Sequence, residues 1–138
     1  MIRPASLHDI YTLVNIENQC FGSDILSRRS FRYLLTKGHA HTLVDEQAGT
    51  VRGYAMVLLS SGTSMARLYS LAVDPGQRRQ GVGSQLLDAA EHAAQEQDCV
   101  SMRLEARRDN REYLLREGVA PVDILRANVR MTKIMRYV

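Results

Sequence analysis

The chain is poor in the residues that build disulfide frameworks and metal sites. Its 138 residues include only two cysteines, Cys20 and Cys99, which lie far apart and form no Cys-x-x-Cys pair. The four histidines form no ligand motif. This spacing gives no reason to expect a zinc site and favours a reducing compartment. We therefore predict a protein without a bound metal.

Long apolar runs and targeting signals are also lacking. No stretch of about 18 apolar residues is present, and the N-terminus has no charged segment followed by an apolar one. We therefore expect a cytoplasmic protein without a membrane partner. The net charge of +3 is too small to indicate nucleic-acid binding, although it allows an acidic ligand such as a nucleotide.

The length fits one folded unit, and we expect residues 1–138 to form a single domain. A chain of this size buries roughly two thirds of its unfolded surface. The sequence contains no repeat, low-complexity tract or long linker.

Hydrophobic spacing predicts an α/β protein with its elements in the order β-α-α-β-β-β-α-β-α-β-β. In the first half we expect a strand at 2–4, a helix capped by Ser6 and Asp9, a helix starting at Ser27 or Ser30, and strands at 41–45 and 51–59 around a polar turn. In the second half we expect a strand at 68–73, a helix from near Gly81, a strand between 99 and 106, a short helix near 110–117, and strands near 119–126 and 129–136.

The segment from Leu68 to Leu87 carries the main functional signal. A run of mostly apolar residues ends in the turn Asp74-Pro75-Gly76, and a helix follows from near Gly81. Free N–H groups and a partial positive charge at a helix N-terminus favour an anion, and glycine at 81 and 83 allows close approach. Arg78 and Arg79 can add charge at the rim. The alternative is a helix start with two solvated arginines.

Other phosphate-binding motifs match this segment less well. The dinucleotide fingerprint requires a third glycine where this chain has Leu86, and the nucleotide P-loop requires Gly-Lys-Ser/Thr, which is absent. The residues Arg78-Arg79-Gln80-Gly81-Val82-Gly83 instead resemble the R/Q-x-x-G-x-G/A signature of the GCN5-related N-acetyltransferase (GNAT) superfamily.

The resemblance extends over roughly residues 1–110 and resumes at 118–135. Leu71 to Pro75 and Leu86-Leu87 resemble the family's fourth strand and third helix, and Leu104 to Arg107 followed by Asn110 resembles its LEVR…N segment. Ile16 to Phe21 resembles the branch that acetylates the N-terminal alanine of a ribosomal protein. The resemblance implies a mixed, mostly antiparallel central sheet with helices on both faces.

The resemblance also implies an acetyl-CoA-dependent N-acetyltransferase acting on a primary amine, such as the α-amine of a protein N-terminus or a small molecule. In that family the fourth and fifth strands splay apart, and the acetyl group lies in the gap. The implied cofactor-binding residues are Leu71, Ala72 and Val73 along the pantetheine arm, Arg78, Arg79, Gln80, Gly81, Val82, Gly83 and Ser84 around the pyrophosphate, and Asn110. The alternative is a CoA-binding regulatory module with little turnover, and either form is expected as a monomer or homodimer.

Two side chains are candidates for proton transfer. An amine acceptor must lose a proton before it attacks a thioester, and the departing thiolate benefits from a proton donor. Glu105 is the candidate base, because it takes the position of the glutamate in the family's LEVR segment. It also lies on the polar face of its strand with Ser101 and Arg103, opposite Val100 and Met102. The alternative is a charged residue on a solvated strand face.

Tyr113 is the candidate acid. Members of the family usually read N-x-x-A-x-x-L-Y-x-x-x-G. Here the segment from Asn110 to Gly118 is three residues shorter, and counting back from the glycine lands on Leu114, next to Tyr113. A one-residue slip on a helix turns a side chain by about 100°. Tyr113 is therefore either the acid or a packing residue.

Overall fold

A mixed β-sheet forms the centre of the computed structural model, which describes residues 1–21, 25–37, 39–59, 64–78, 80–105, 124–126 and 132–136. The helices are α1 (Ile10–Cys20), α2 (Arg28–Thr36) and α3 (Val82–Glu96), with short 3-10 turns at Leu7–Asp9 and Pro75–Gln77. The strands are β1 (Ile2–Pro4), β2 (Ala40–Gln47), β3 (Thr50–Leu59), β4 (Met65–Val73), β5 (Ser101–Glu105), β6 (Ile124–Arg126) and β7 (Thr132–Arg136).

The sheet confirms the predicted fold class. Strands β1 to β4 are antiparallel neighbours, β5 joins β4 in parallel through the crossover helix α3, and β7 pairs antiparallel with β5. Strand β6 lies off this path and pairs antiparallel with β4. The short helix predicted near 110–117 lies outside the described residues.

The hairpin between β2 and β3 is tighter than the predicted turn at 46–50. Ala48 and Gly49 alone form the loop, with φ angles of 52° and 81°, and Gln47 pairs with Thr50. A two-residue loop with both φ angles positive matches the twist of antiparallel strands, so pairing extends to the ends of this polar segment. Polarity alone does not distinguish paired residues at a strand end from a loop.

Both predicted helix caps are present in the structure. The Asp9 carboxylate accepts a hydrogen bond from the Ser6 N–H at 2.7 Å, as a capping box requires. However, Asp9 also binds Arg3, and a 3-10 turn precedes α1. For α2 the choice between the two serines is settled, because the Ser27 Oγ accepts the Ser30 N–H at 3.1 Å.

Two apolar cores pack on opposite faces of the sheet. The core under α3 contains Ala55, Val57, Ala66, Leu68, Leu71, Val73, Val82, Leu86, Ala90, Ala94, Cys99 and Met102. The core under α1 and α2 contains Ile10, Leu13, Ile16, Phe21, Leu26, Phe31, Val44, Tyr54, Met56 and Ala72. Strand β4 contributes to both cores, because its side chains are buried on both faces of the sheet.

The predicted buried face of β5 is correct at Met102 and wrong at Val100. Met102 is fully buried, whereas Val100 is 56% exposed because it precedes the strand and its N–H binds the Ser64 carbonyl. Among the helices that the structure describes, none has both the length and the apolar composition needed to cross a membrane.

Candidate active site

The loop between β4 and α3 ends in a helix N-terminus that is open to an anion. Gly81 is the N-cap of α3 and has a φ of 79°, a conformation that favours glycine. A Cβ at Gly81 would meet nothing within 4 Å, and the Gly81 carbonyl accepts the Gln85 N–H at 3.0 Å. The N–H groups of Val82, Gly83 and Ser84 precede the first intrahelical donor. This end of α3 can therefore offer backbone donors to a phosphate.

Two residues at the start of α3 are exposed and two are buried. Gly81 and Ser84 are exposed, whereas Val82 and Gly83 are buried. Gly53 on β3 lets α3 pack closely, because a Cβ there would lie 2.8 Å from the Ala72 carbonyl oxygen and 3.1 Å from Leu86. The glycine in β3 thus helps to fix the start of α3 beside the end of β4.

Arg78 does not extend to the rim as its motif position suggests. Its Nε donates to the Val73 carbonyl at 3.2 Å, and its Nη2 donates to the Cys20 sulfur at 3.3 Å. The side chain therefore ties the loop to the end of β4 and to the end of α1. Arg79 lies outside the described residues.

Arg52 is a basic residue beside the loop that the sequence analysis missed. Its Nη1 donates to the Gln80 Oε1 at 3.4 Å, and its Nη2 binds the buried Asp45 carboxylate at 2.9 Å. The Arg52 carbonyl also accepts the Asp74 N–H at 2.8 Å. No local motif marks this arginine, because its partners lie on β2 and on the loop after β4.

The Cys20 thiol stays protonated at neutral pH. Burial raises the pKa of Cys20 to about 11, and the nearby Arg78 charge opposes that rise only in part. The thiolate is the nucleophilic form of cysteine. The environment of Cys20 therefore suits a packing role.

Strands β4 and β5 part after a short parallel ladder. Pairing runs from Met65 with Ser101 to Leu68 with Leu104 and then stops. The next residue, Tyr69, lies at a bulge, because the register with β3 shifts from Val57 opposite Leu68 to Met56 opposite Ser70. A bulge bends a strand and ends regular pairing. The divergence of the two strands therefore begins at Tyr69.

Glu105 is the last residue of β5, one position beyond the final pair with β4. Its backbone lies opposite Thr132 of β7. The strand end that carries Glu105 thus borders the divergence between β4 and β5. Asn110 and Tyr113 lie outside the described residues.

Strand β6 occupies the edge of β4 that the resemblance assigns to the pantetheine arm. Ser70, Leu71 and Ala72 pair with β3 on one side and with β6 on the other. The Val73 carbonyl is already bound by Arg78 and by the Cys20 thiol, at 3.4 Å. An arm that hydrogen-bonds this edge near Leu71 would therefore have to displace β6.

A buried polar network holds the segment after α1 against the sheet. Glu17 is fully buried: its Oε1 accepts the Tyr54 hydroxyl, and its Oε2 accepts the Leu26 N–H at 2.9 Å. The Tyr54 hydroxyl also lies 2.8 Å from the Ser70 Oγ. The network fixes Leu26 beside the part of β4 that follows the bulge. Its members are up to 37 positions apart, so no local pattern reveals it.

A cavity of about 440 Å³ opens beside α2. It is lined by Leu26, Arg29, Ser30, Tyr33, Leu34, Leu58 and Tyr69. Tyr69 brings the cavity to the divergence of β4 and β5. The candidate site therefore combines a helix N-terminus with backbone donors, a divergent strand pair and a mostly apolar cavity.

The family model described as the acetyltransferase (GNAT) family matches residues 7–114. The chain belongs to this family. A Bacillus subtilis (strain 168) relative described as a ribosomal protein bS18-alanine N-acetyltransferase is 29% identical over 109 residues, which are 79% of this chain and 71% of the relative. Family membership confirms the predictions of an N-acetyltransferase and of acetyl-CoA as its cosubstrate.

Solved GNAT structures share the fold. Ard1 from Thermoplasma volcanium superposes with a TM-score of 0.76 at 25% identity, covering 100% of this chain and 97% of that one. PaiA N-acetyltransferase from Thermoplasma acidophilum, solved with coenzyme A, has a TM-score of 0.73 at 16% identity and covers 99% and 98%.

Proposed function

We propose that this GNAT protein moves the acetyl group of acetyl-CoA to the α-amine of a protein N-terminus by direct attack, with Glu105 as the general base. The observation that supports this most is the divergence of β4 and β5 next to the open N-terminus of α3. Glu105 follows the last β4–β5 pair by one residue. A second support is the bacterial relative, which is described as acting on an alanine of ribosomal protein bS18.

In this proposal the backbone at the start of α3 holds the pyrophosphate. The open space beside Gly81 and the exposed Ser84 fit this role. Gln80, held by Arg52, and Arg79 complete the loop, while Arg78 supports it from the β4 side. The pantetheine arm follows Leu71 to Val73 once β6 is displaced, and Asn110 contacts the cosubstrate. The proposal includes residues 1–138 acting as one catalytic domain.

The chemistry follows from the state of the amine. A primary amine is mostly protonated near pH 7 and cannot attack a carbonyl until it loses its proton. Glu105 accepts that proton directly or through one water. The amine nitrogen then bonds to the thioester carbon as the carbon–sulfur bond breaks, and Tyr113 donates a proton to the leaving sulfur. The new amide nitrogen releases its extra proton, which restores the Tyr113 hydroxyl directly or through one water. The chain supplies the two proton-transfer groups and the orientation of the reactants.

The acetyl-CoA half of the proposal is tested by blocking the start of α3. Gly83 is buried in the first turn of α3, so a leucine there must shift the backbone N–H groups that would bind the pyrophosphate. Affinity measured by calorimetry should fall at least about tenfold, or roughly 1.4 kcal/mol. Gln85→Leu is the matched control, because Gln85 is exposed and its N–H is already bound by the Gly81 carbonyl. Thermal unfolding confirms that each variant folds. Unchanged affinity in a folded Gly83→Leu variant would remove this loop from the site.

The transfer half is tested by following thiol release from acetyl-CoA with peptides and small amines. Release with peptides that carry a free N-terminus, and its loss when that terminus is blocked, supports the proposal. Modification of lysine side chains or small amines alone would contradict it. Binding of acetyl-CoA without release would identify a CoA-binding module.

A further inference from the structure

The cavity beside α2 has room for more than a methyl side chain. Its volume of about 440 Å³ lies within the range of roughly 300–1,000 Å³ that is usual for small-molecule sites. A single water needs only about 10–15 Å³. Its walls include Leu26, Leu34 and Leu58. An alanine side chain would leave most of this apolar surface in contact with water.

The cavity begins where the acceptor amine must arrive. Tyr69, which lines it, directly follows the last β4–β5 pair at Leu68. On the other side, the Glu17 carboxylate holds the Leu26 backbone at 2.9 Å. The wall formed by Leu26 is thus anchored before any acceptor binds, which lowers the cost of ordering it.

Among the described residues that line the cavity, Arg29 is the only charged one. Helix α2 reads RRSFRYLLT and carries three arginines and no acidic residue. Of these arginines only Arg29 lines the cavity, whereas Arg32 is exposed outside it. In the part of the chain that the structure describes, no carboxylate forms an ion pair with Arg29. An incoming carboxylate would complement this edge of an otherwise apolar space.

We propose that the cavity selects a polypeptide N-terminus whose first residue has a large aliphatic side chain, such as methionine or leucine, and whose second residue is acidic. This inference rests on the proposed N-terminal acetyltransferase function. The first side chain packs against Leu26, Leu34 and Leu58, with its amine directed toward Tyr69. The second side chain pairs with Arg29 at the cavity edge.

The test uses four peptides that start Met-Glu, Met-Lys, Ala-Glu and Ala-Lys and are otherwise identical. The measured quantity is kcat/KM for thiol release from acetyl-CoA. Methionine should exceed alanine by roughly 10- to 200-fold, the range found for buried apolar groups. Glutamate should exceed lysine at the second position by about threefold to tenfold, since a partly exposed ion pair discriminates modestly.

Reversing the charge of Arg29 tests the preference at the second peptide position more directly. Arg29→Glu should invert the preference at the second position, so that Met-Lys becomes the better peptide. Arg32→Glu makes the same change in net charge on the same helix and should leave the preference as it is. Acidic residues are favourable near a helix N-terminus, so Arg29→Glu should not weaken α2.

The outcomes separate this inference from the function on which it rests. If no peptide is acetylated, the proposed function fails and the inference falls with it. If peptides are acetylated with equal preference for methionine and alanine, or if Arg29→Glu and Arg32→Glu shift the ratios equally, the selection by the cavity is wrong while the transfer function stands.

Discussion

Gly81 and Arg78 have separate roles in the loop between β4 and α3. Gly81 takes a positive φ that lets the chain enter α3 with its first N–H groups open. Arg78 is engaged with the Val73 carbonyl and the Cys20 sulfur, so its charge acts at the base of the loop. In the proposed site, Arg78 therefore contributes less to pyrophosphate binding than its motif position suggests, and the backbone and the helix dipole contribute more.

The residues that the sequence predicted and those that it missed differ in the range of their contacts. The glycines of the loop and Glu105 belong to local patterns with a fixed spacing, and the resemblance of those patterns to the GNAT family selected them as candidates. Glu17 and Arg52 act through partners on other elements, at separations of 37 and 28 positions. The direction of the Arg78 side chain also depends on Cys20, far away in sequence.

Replacing Glu105 with glutamine tests the proposed general base. The substitution keeps the size of the side chain and removes its basicity, so turnover should fall by roughly 10²- to 10⁴-fold. Affinity for acetyl-CoA should change little, because Glu105 is outside the pyrophosphate loop. The remaining rate should rise with pH as more free amine becomes available.

Glu96→Gln is the control for this experiment, since Glu96 is exposed at the last position of α3. It should turn over like the parent. If Glu105→Gln also turned over like the parent from pH 6 to 9, Glu105 would be a polar residue on a solvated strand, and Tyr113 with an ordered water would become the next candidate.

Strand β4 is the element on which the site depends most. It begins at Met65, three residues before the predicted start at Leu68, because its first residues pair with both β3 and β5. The sequence predicted its apolar character but not the bulge at Tyr69, since a bulge depends on the register of the partner strand. The pairing of β6 with β4 was not predicted for the same reason.

The pairing of β6 with β4 can be tested by adding acetyl-CoA. If acetyl-CoA binds along β4, the backbone pairing of residues 124–126 with Ser70 to Ala72 must break. Hydrogen exchange of residues 124–126 should then become faster on addition of acetyl-CoA, whereas the β2–β3 ladder should keep its protection. Unchanged or slower exchange at 124–126 would mean that the arm follows another path.

At the scale of the whole molecule, the sheet separates two apolar cores, and each core supports a different part of the candidate site. The core under α3 includes the start of that helix, and the core under α1 and α2 borders the cavity and includes Tyr54 of the Glu17 network. The apolar periodicity predicted the separate elements, and the family resemblance implied a sheet covered on both faces. Which face carries which function depends on the chain path, which the family resemblance supplied.

Cys20 links the α1 side of this assembly to the end of β4, and its environment predicts how stability depends on pH. Its folded-state pKa of about 11 lies above the usual value near 9, because burial disfavours the thiolate. The folded state therefore keeps its proton while the unfolded state loses it, so this contribution is fully present below about pH 9 and is lost toward pH 11. At about 1.4 kcal/mol per pKa unit, the loss reaches at most about 3 kcal/mol.

Urea unfolding under reducing conditions at pH 7, 9, 10 and 11 measures this loss. Cys20→Ser keeps a donor for the Val73 carbonyl and does not ionise in this range, so its free energy of unfolding should decline less above pH 9 than that of the parent. Other groups that titrate in the same range affect both proteins equally and cancel in the difference. Parallel pH curves for the two proteins would show that the thiol is not desolvated in the folded state, and the packing role assigned to Cys20 would have to be abandoned.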